Sequence, residues 1–175
     1  MRRLLSACAT AAALSACAAP TGTQYFTLPE SQYQFSTNQG SELAVRVRLA
    51  EPLNQGGLVY QTDAYHLNFA RNHLWAAPLD STVAASFSNQ RDRLDPRHRF
   101  VPAGRSQSTQ TLTLDIESFQ GNYQGYTQIT GYAQWANGKS RSFAVQTPQQ
   151  GDGYPAMVQS LDEGLESVAA EISAR

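Results

Sequence analysis

The chain has 175 residues, which is enough for one domain with a sizeable hydrophobic core and too few for two ordinary domains plus an export signal. Its 41% hydrophobic and 10% aromatic content is that of a globular protein, which argues against a disordered or fibrous chain. The formal net charge of -1 at pH 7 argues against non-specific binding of nucleic acid.

The first residues have the layout of a bacterial export signal. Arg2 and Arg3 form a basic start, and an apolar, Ala- and Leu-rich segment follows that is too short to span a bilayer. This segment closes on a lipobox, in which a leucine and two small residues precede an obligatory cysteine: Leu14, Ser15, Ala16 and Cys17. The pattern predicts a lipoprotein signal peptide over residues 1–16, whose removal leaves 11 basic and 14 acidic residues.

Cys17 is predicted to become the mature N-terminus and to carry covalent diacylglycerol and an N-acyl chain. Several acyl chains hold a protein on a membrane durably, whereas a single chain does so only marginally. Cys8 follows the same Leu-Ser-Ala letters, but almost no apolar segment separates it from the basic start. The alternative for the whole segment is a plain secretory signal with a chance cysteine. No cysteine remains in the body, so its stability must come from a hydrophobic core rather than from disulfides.

The residues after the cysteine predict where the protein is held. Residue 18 is Ala rather than the Asp that commonly retains lipoproteins in the inner membrane, so we expect a lipid anchor in the outer membrane and a body facing the periplasm. Residues 17–24 form the lipidated N-terminus and a short tether, whose reach from Ala18 to Gln24 is at most about 25 Å. The domain, residues 25–175, should therefore lie close to the lipid surface.

The first half of the body predicts strands followed by a helix. Glu42–Leu49 alternates between apolar and polar residues, as in a half-buried strand. Leu58–Thr62 and Tyr65–Phe69 are typical of short strands, and Arg71–Asn72 of a turn. Helical spacing follows between Pro78 and Pro96, with an apolar stripe at Leu79, Val83, Phe87 and Leu94.

The second half predicts a strand meander and a final helix. Thr111–Phe119 and Thr127–Trp135 alternate, and Asn137–Gly138 is a strong hairpin signal because both residues tolerate positive φ. Asp152–Pro155 is typical of a helix start, and one apolar stripe follows it: Met157, Leu161, Leu165, Val168 and Ile172. This order predicts an α+β fold, a single domain with a mainly antiparallel sheet and two helices packed on one face.

Residues suited to catalysis or metal binding are sparse. His66 and His73 are seven apart with no cysteine beside them, which favours ordinary histidines over zinc ligands. Asp115 and Glu117 could form a carboxylate pair, but acids on one strand face are normal on the solvated side of a sheet. Gly56–Gly57 lacks a following Lys and a helix, so it predicts a turn rather than a phosphate loop. We expect no enzyme, no metal and no cofactor beyond the covalent lipid.

The segment Arg91–Arg99 is locally basic. Arg93, Arg97 and Arg99 are its candidate contacts for an anionic partner or a lipid headgroup. Two aspartates in the segment dilute the positive charge, and the alternative is a charged helix-to-strand connection kept in water.

Four stretches of the body resemble the PqiC family, also described as the ABC-type transport auxiliary lipoproteins. They are Leu58–Thr62, Asn72–Asp80, Phe119–Gly125 and Asp152–Val158, in that order behind the lipobox. We expect structural roles for their residues: a tryptophan packed where a strand leads into a helix, a proline in the first helical turn, and glycines that bend the chain between two long strands. The matched residues are Trp75, Pro78, Leu79, Phe119, Gly121, Tyr123 and Gly125.

The resemblance implies an outer-membrane lipoprotein that works with an MCE-domain protein (PqiB-like) and an integral inner-membrane protein (PqiA-like). Such systems are described as moving lipids between the two membranes and supporting envelope integrity. This subunit would be the outer docking end of the path, with a homo-oligomeric ring as a candidate assembly. Two other functions stay open: a carrier lipoprotein that itself holds one lipid in a pocket and, in a different class, an envelope hydrolase.

Overall fold

The computed structural model describes residues 22–172. The signal peptide, the lipobox (Leu14, Ser15 and Ala16) and Cys17 lie outside the described residues. The described chain forms eight strands and two α-helices: β1 (Gln24–Phe26), β2 (Ser41–Leu49), β3 (Gly57–Gln61), β4 (Leu67–Trp75), α1 (Leu79–Leu94), β5 (His98–Pro102), β6 (Thr111–Asn122), β7 (Tyr126–Trp135), β8 (Ser140–Pro148) and α2 (Gly153–Glu171). Short 3-10 turns cover Glu51–Gln55 and Ala103–Arg105.

Strand β6 organises the sheet because it is long enough to pair with two strands along one side. β2 runs parallel to its first half, and β3 runs parallel to its last residues. The 3-10 turn Glu51–Gln55 carries the chain from β2 to β3. β5 extends the sheet beside β2, β4 and β1 extend it beside β3, and β7 and β8 form an antiparallel meander on the other side of β6.

A β-bulge in the middle of β6 shifts its buried positions. Ile116 is opposite Gly131, but Ser118 is opposite Thr130, so β6 has one extra residue at Glu117. A bulge of this kind displaces the alternation of a strand by one position. The buried residues therefore change phase along β6: Leu112, Leu114 and Ile116 before the bulge, and Phe119 after it.

The two helices pack on the sheet and on each other. α1 contacts β2 and β5, whereas α2 contacts β6, β7 and β8, and the helices also touch. Every residue of the apolar stripe predicted for α2 is buried: Met157, Leu161, Leu165, Val168 and Ile172. The predicted helix after Pro78 is confirmed, and it ends at Leu94, before Pro96.

The α+β single-domain fold is confirmed, and the sheet is mixed. Among the described strands, the long ladders β6–β7 and β7–β8 and the ladder β3–β4 are antiparallel. Four shorter ladders are parallel, β1–β4, β2–β5, β2–β6 and β3–β6. The parallel β2–β5 ladder arises because the chain returns through α1 before it enters β5, as a parallel pair requires a long crossover.

The turn predicted at Arg71–Asn72 is wrong, because these residues lie inside β4. β1 and β5, which the sequence patterns did not predict, supply edges to the sheet. The hairpin at Asn137–Gly138 is confirmed: Gly138 has φ +81°, and the Lys139 N–H donates to the Asn137 side chain at 3.0 Å. Within residues 22–172, no helix is both long and apolar enough to span a bilayer.

Candidate functional site

A cleft of about 550 Å³ opens at the N-terminal end of α2. This is the size of ordinary small-molecule sites. Tyrosine rings and one methionine form much of the wall, with polar amides beside them: Tyr60, Tyr123, Tyr154, Met157, Asn122 and Gln149. The cleft thus combines apolar rings with a few hydrogen-bonding groups and, in its wall, no basic side chain.

Three of the four segments that carry the family resemblance line this cleft, and the fourth contacts its wall. Leu58–Thr62, Phe119–Gly125 and Asp152–Val158 each supply residues to its wall. The fourth segment, Asn72–Asp80, reaches the cleft through His73, whose ring stacks on a tyrosine of the wall. Because these segments are far apart in the sequence, their convergence identifies the cleft as the place where the family pattern is concentrated in space.

Two glycines with left-handed backbone shape the mouth of the cleft. Gly125 has φ +83° in the turn between β6 and β7, and Gly153 has φ +81° at the start of α2. Residues with a Cβ atom rarely adopt this backbone conformation, so glycine is favoured at both positions. The Gln149 side-chain amide donates to the carbonyls of Gly151 at 3.0 Å and Gly153 at 3.4 Å, which fixes the segment before α2. The bend expected at Gly125 is therefore present.

Aromatic packing holds the first turn of α2 against the sheet edge. The rings of His73 and Tyr154 stack with centroids 4.1 Å apart, and Phe26 lies 5.9 Å from His73 and 6.2 Å from Tyr154. His66, by contrast, contacts Asp63, with Nδ1 2.8 Å from Oδ2. The two histidines have different surroundings, and the described residues contain no group of three His, Cys, Asp or Glu suited to a metal ion.

Gly121 serves close packing rather than a bend. It lies inside β6, and a Cβ atom at this position would be 2.5 Å from the Met157 sulfur and 3.1 Å from the Tyr60 ring. The bend expected at both glycines of this segment therefore falls at Gly125 alone. Gly121 allows α2 to approach the sheet beneath the cleft.

The other family-matched residues form the support behind the cleft. Trp75 ends β4 and is buried, with its ring 5.9 Å from the buried Phe119 ring. Leu79 begins α1 and is also buried, and Pro78 occupies the position just before it, the N-cap, rather than the first turn. Trp75 and Leu79 are thus buried on either side of the junction between β4 and α1, and the position of Pro78 differs from the predicted first turn by one residue.

The cleft lies at one end of the sheet, which we call the tyrosine end. It consists of the turns Thr62–His66 and Tyr123–Gly125 and the segment Gln149–Gly153. Backbone hydrogen bonds bring them together: the Tyr123 N–H donates to the Gln61 carbonyl, and the Gln149 N–H donates to the Gly125 carbonyl, both at 2.9 Å.

Large apolar side chains are exposed at the tyrosine end. Tyr65 is 92% exposed, Tyr123 46% and Leu67 41%. The turn that presents Tyr65 is held by Asp63, whose Oδ1 accepts the backbone N–H groups of Tyr65 at 2.8 Å and His66 at 3.1 Å. These hydrogen bonds lower the pKa of the Asp63 carboxyl, first through the Tyr65 N–H and then through the His66 side chain.

The opposite end, which we call the charged end, contains the starts of β2, β5 and β6, the C-terminal end of α1 and the β7–β8 turn. Several of its arginines form ion pairs with acids of the same chain. The three arginines singled out in the sequence each form an ion pair: Arg93 with Glu30 at 2.7 Å, Arg97 with Asp95 at 3.2 Å, and Arg99 with Glu42 at 2.5 Å. Contact of these arginines with a partner or headgroup stays a prediction, and it would compete with these pairs.

A buried arginine, Arg91, joins the two helices at the charged end. Its guanidinium donates to the Ala169 carbonyl at 3.1 Å and to Asp95 at 3.3 Å, and it lies 5.0 Å from the centre of the Phe100 ring. Burial lowers the pKa of Arg91, which Asp95 partly offsets. The side chain is only 4% exposed, so Arg91 contributes to the stability of the fold and is not accessible to a binding partner.

Asp115, the first acid of the possible carboxylate pair, is held by an arginine. Arg48 donates to both oxygens of Asp115, at 2.6 Å from Nε and 2.8 Å from an Nη atom. Glu117 is exposed at the bulge of β6. Asp115 therefore has the two-point ion pair of a structural residue on the sheet surface.

Asp162, which no sequence pattern predicted as a functional residue, has the most strongly shifted pKa among the described acidic side chains. Burial, with the nearby charges of Glu166 and Glu30, raises the pKa of Asp162 to about 6. Its buried Oδ1 has no hydrogen-bond partner among the described residues. No sequence pattern distinguishes it, since it lies beside Glu163 on a helix whose acids are otherwise exposed.

Sequence comparison gives the family of this chain. The family described as "ABC-type transport auxiliary lipoprotein component" matches residues 26–173. The chain is 31% identical over 162 residues to the intermembrane transport lipoprotein PqiC of Escherichia coli (strain K12), covering 85% of this chain and 83% of that protein. The PqiC protein of Shigella flexneri matches to the same extent.

Two solved structures are similar to this one. A crystal structure of an uncharacterised protein has a TM-score of 0.69 at 29% identity, covering 86% of this chain and 95% of its own. Protein XCC0632 from Xanthomonas campestris has a TM-score of 0.64 at 16% identity, covering 85% of this chain and 91% of its own, and it shares the fold.

Proposed function

The chain belongs to the ABC-type transport auxiliary lipoprotein family, and on that premise we propose that it is the docking subunit of an MCE-type intermembrane lipid transport system. In this proposal, lipid on Cys17 holds it in the outer membrane, facing the periplasm. Its partners are an MCE-domain protein (PqiB-like) and an integral membrane protein (PqiA-like), and the system supports envelope integrity. Family membership itself points to a non-enzymatic role in a multi-component transporter.

One observation supports this function more than any other: the four family-typical segments converge on the cleft at the tyrosine end. Lipids that cross an aqueous space need a protein surface that shields their chains, because exposing each methylene costs about 0.8 kcal/mol. A cleft walled by tyrosine rings and a methionine, close to the β1 strand into which the proposed tether leads, suits the end of such a path.

Complementation of a strain that lacks the gene tests the role of the cleft. We expect Tyr123→Ser to reduce resistance of the cells to detergent, because Tyr123 is a wall residue of the cleft that is exposed to solvent. Phe35→Ser is the matched control, since Phe35 is 81% exposed at the charged end. Full complementation by Tyr123→Ser, or equal loss in both variants, would contradict the proposal.

The anchor has its own test. We expect Cys17→Ser to remain unprocessed or to leave the outer-membrane fraction, with loss of complementation. Normal processing and outer-membrane fractionation of Cys17→Ser would remove the anchor, and the docking role would fall with it.

Native mass spectrometry separates this function from a lipid carrier. A docking subunit should retain no stoichiometric lipid beyond its own acyl chains and should bind the MCE-domain protein. One retained phospholipid per chain would favour the carrier. Activity on an ester, glycan or peptide substrate that vanished on replacement of one Asp, Glu or His would favour a hydrolase.

A further inference from the structure

We propose that the tyrosine end is the surface of the domain that rests on the lipid bilayer. The inference builds on the proposed lipid anchor at Cys17 and adds which face of the domain that anchor holds against the lipid. It commits to the interfacial region of a bilayer as the occupant of this surface.

The direction of β1 supplies the first argument. β1 runs parallel to β4, with Gln24 opposite His73 and Phe26 opposite Trp75. β4 begins at Leu67, beside the end of β3, so its first residues lie at the tyrosine end. The chain that enters β1 therefore comes from the side of the tyrosine end.

The length of the tether supplies the second argument. Six residue steps along β4 lead from Leu67 to His73, which is about 20 Å at the rise of a strand. The seven residue steps from Cys17 to Gln24 reach at most about 25 Å. A tether that continues the direction of β1 can therefore carry Cys17 only slightly beyond the level of Leu67. A lipid anchor at Cys17 then requires the tyrosine end to lie close to the bilayer.

The chemistry of the exposed side chains supplies the third argument. Tyr65, Tyr123 and Leu67 are exposed together at this end, and Tyr25, 67% exposed, lies on the edge strand that follows the tether. Tyrosine has an apolar ring and a polar hydroxyl, which suit the boundary between acyl chains and water. Exposure of two tyrosines and a leucine to water at the same end of the sheet is unfavourable, whereas a bilayer interface accommodates these side chains.

The distribution of charge supplies the fourth argument. The three segments of the tyrosine end, Thr62–His66, Tyr123–Gly125 and Gln149–Gly153, contain no Lys or Arg, and their acids are Asp63 and Asp152. The contact is thus apolar rather than electrostatic, and it should form on zwitterionic lipid and change little with salt. A surface that used lipid charge would carry the cations that this end lacks.

The depth of single labels in the full lipidated chain tests the inference. An introduced cysteine carries the one free thiol of the mature chain, because Cys8 leaves with the signal and the Cys17 sulfur carries lipid. Tyr65→Cys and Tyr123→Cys are labelled with an environment-sensitive fluorophore, and Phe35→Cys, an exposed aromatic site beside Arg99 at the charged end, is the control. Each protein is reconstituted into phosphatidylcholine vesicles in which part of the lipid carries a nitroxide near the headgroup.

We expect the nitroxide to quench the labels at residues 65 and 123 severalfold more than the label at residue 35, at low and high salt alike. Equal quenching at the three sites, or stronger quenching at residue 35, would overturn the inference. Protection of residues 65 and 123 from soluble quenchers by a protein partner, without lipid quenching, would overturn it too. Flotation with the vesicles is scored separately: failure to float refutes the anchor, whereas flotation without quenching refutes only the orientation.

Discussion

The two ends of the sheet use side chains in opposite ways. At the charged end, Arg93 of α1 pairs with Glu30, and Arg99 of β5 pairs with Glu42 of β2, so these charges act within the fold. At the tyrosine end, charges are few and aromatic side chains are exposed. The arginines of the charged end, which stand out in the sequence, are therefore largely structural. The tyrosine end, which has few charges, instead exposes aromatic side chains to solvent. The predictions below test that contrast, in order of expected effect.

The pairing of β6 with β7, which connects the two ends of the sheet, should respond most strongly to a substitution. A Cβ atom at Gly131 would lie 2.0 Å from the Asp115 carbonyl oxygen, across the bulge of β6. Because backbone cannot yield as a side chain does, we expect Gly131→Ala to cost about 3 kcal/mol or more of unfolding free energy. Both ends should lose stability together in a denaturant titration. Gly104→Ala, which meets nothing within 4 Å, is the control; equal stability of the two variants would contradict the fold.

Arg91 tests whether the charge of the charged end is structural. Arg91→Met removes a buried cation and leaves the Ala169 carbonyl and part of Asp95 without a donor. Breaking a buried pair from one side costs about 3–5 kcal/mol, and we expect about 2–3 kcal/mol because Arg97 and His98 still contact Asp95. Thermal unfolding measures the loss. Arg97→Gln, whose side chain is 68% exposed, should cost less than about 1 kcal/mol.

Asp162 is predicted to weaken the fold near neutral pH. Its pKa of about 6 lies above the ordinary value of 3.8, so the folded state binds a proton more tightly than the unfolded chain. Stability should therefore fall as pH rises from about 4 to 6, and the full penalty should persist above pH 6. We expect Asp162→Asn to stabilise the protein by about 2 kcal/mol at pH 7 and by little at pH 4. Urea titrations at both pH values measure this, and an equal gain at both would contradict it.

The smallest expected effect concerns the paired arginines as a docking surface. Replacing Arg93, Arg97 and Arg99 together with Gln should weaken binding to the MCE-domain partner a few-fold at low salt and scarcely at high salt, since surface charges act mainly on encounter. Fluorescence anisotropy across a salt series measures it. The same variant should leave the depth of a label at residue 65 unchanged. An unchanged affinity for the MCE-domain partner in the triple variant would contradict the docking role and leave these arginines a structural role only.

Local patterns in the sequence predicted most of the architecture. The apolar stripe of α2 and the Asn137–Gly138 hairpin depend on neighbouring residues, and both are confirmed. β1 was not predicted because its three residues become a strand only through pairing with β4. Arg71–Asn72 lies inside β4 although its local pattern predicts a turn, because the strand partners of this part of β4 lie far away in the sequence.

The candidate site was harder to predict than the fold. The resemblance identified the right segments, but nothing in one sequence indicates that Tyr60, Tyr123 and Tyr154 share a cleft, because β6 and α2 bring them together. The basic segment predicts a binding surface, but the acids that pair with it, Glu30 and Glu42, come from distant parts of the chain. Contacts between residues far apart in the sequence therefore determine both the formation of the cleft and the pairing of the arginines.

The parallel pairing of β1 with β4 has a mechanical consequence. A pull on the N-terminal tether acts along the strand axis, so the hydrogen bonds of this short ladder are loaded together in shear rather than opened one after another. The carbonyl of Phe26 also accepts the Ala76 N–H at 2.8 Å, and its ring packs beside His73 and Tyr154, so the ladder and the aromatic contacts share the load. Three residues of strand can in this way join the domain to its tether and resist force between the two.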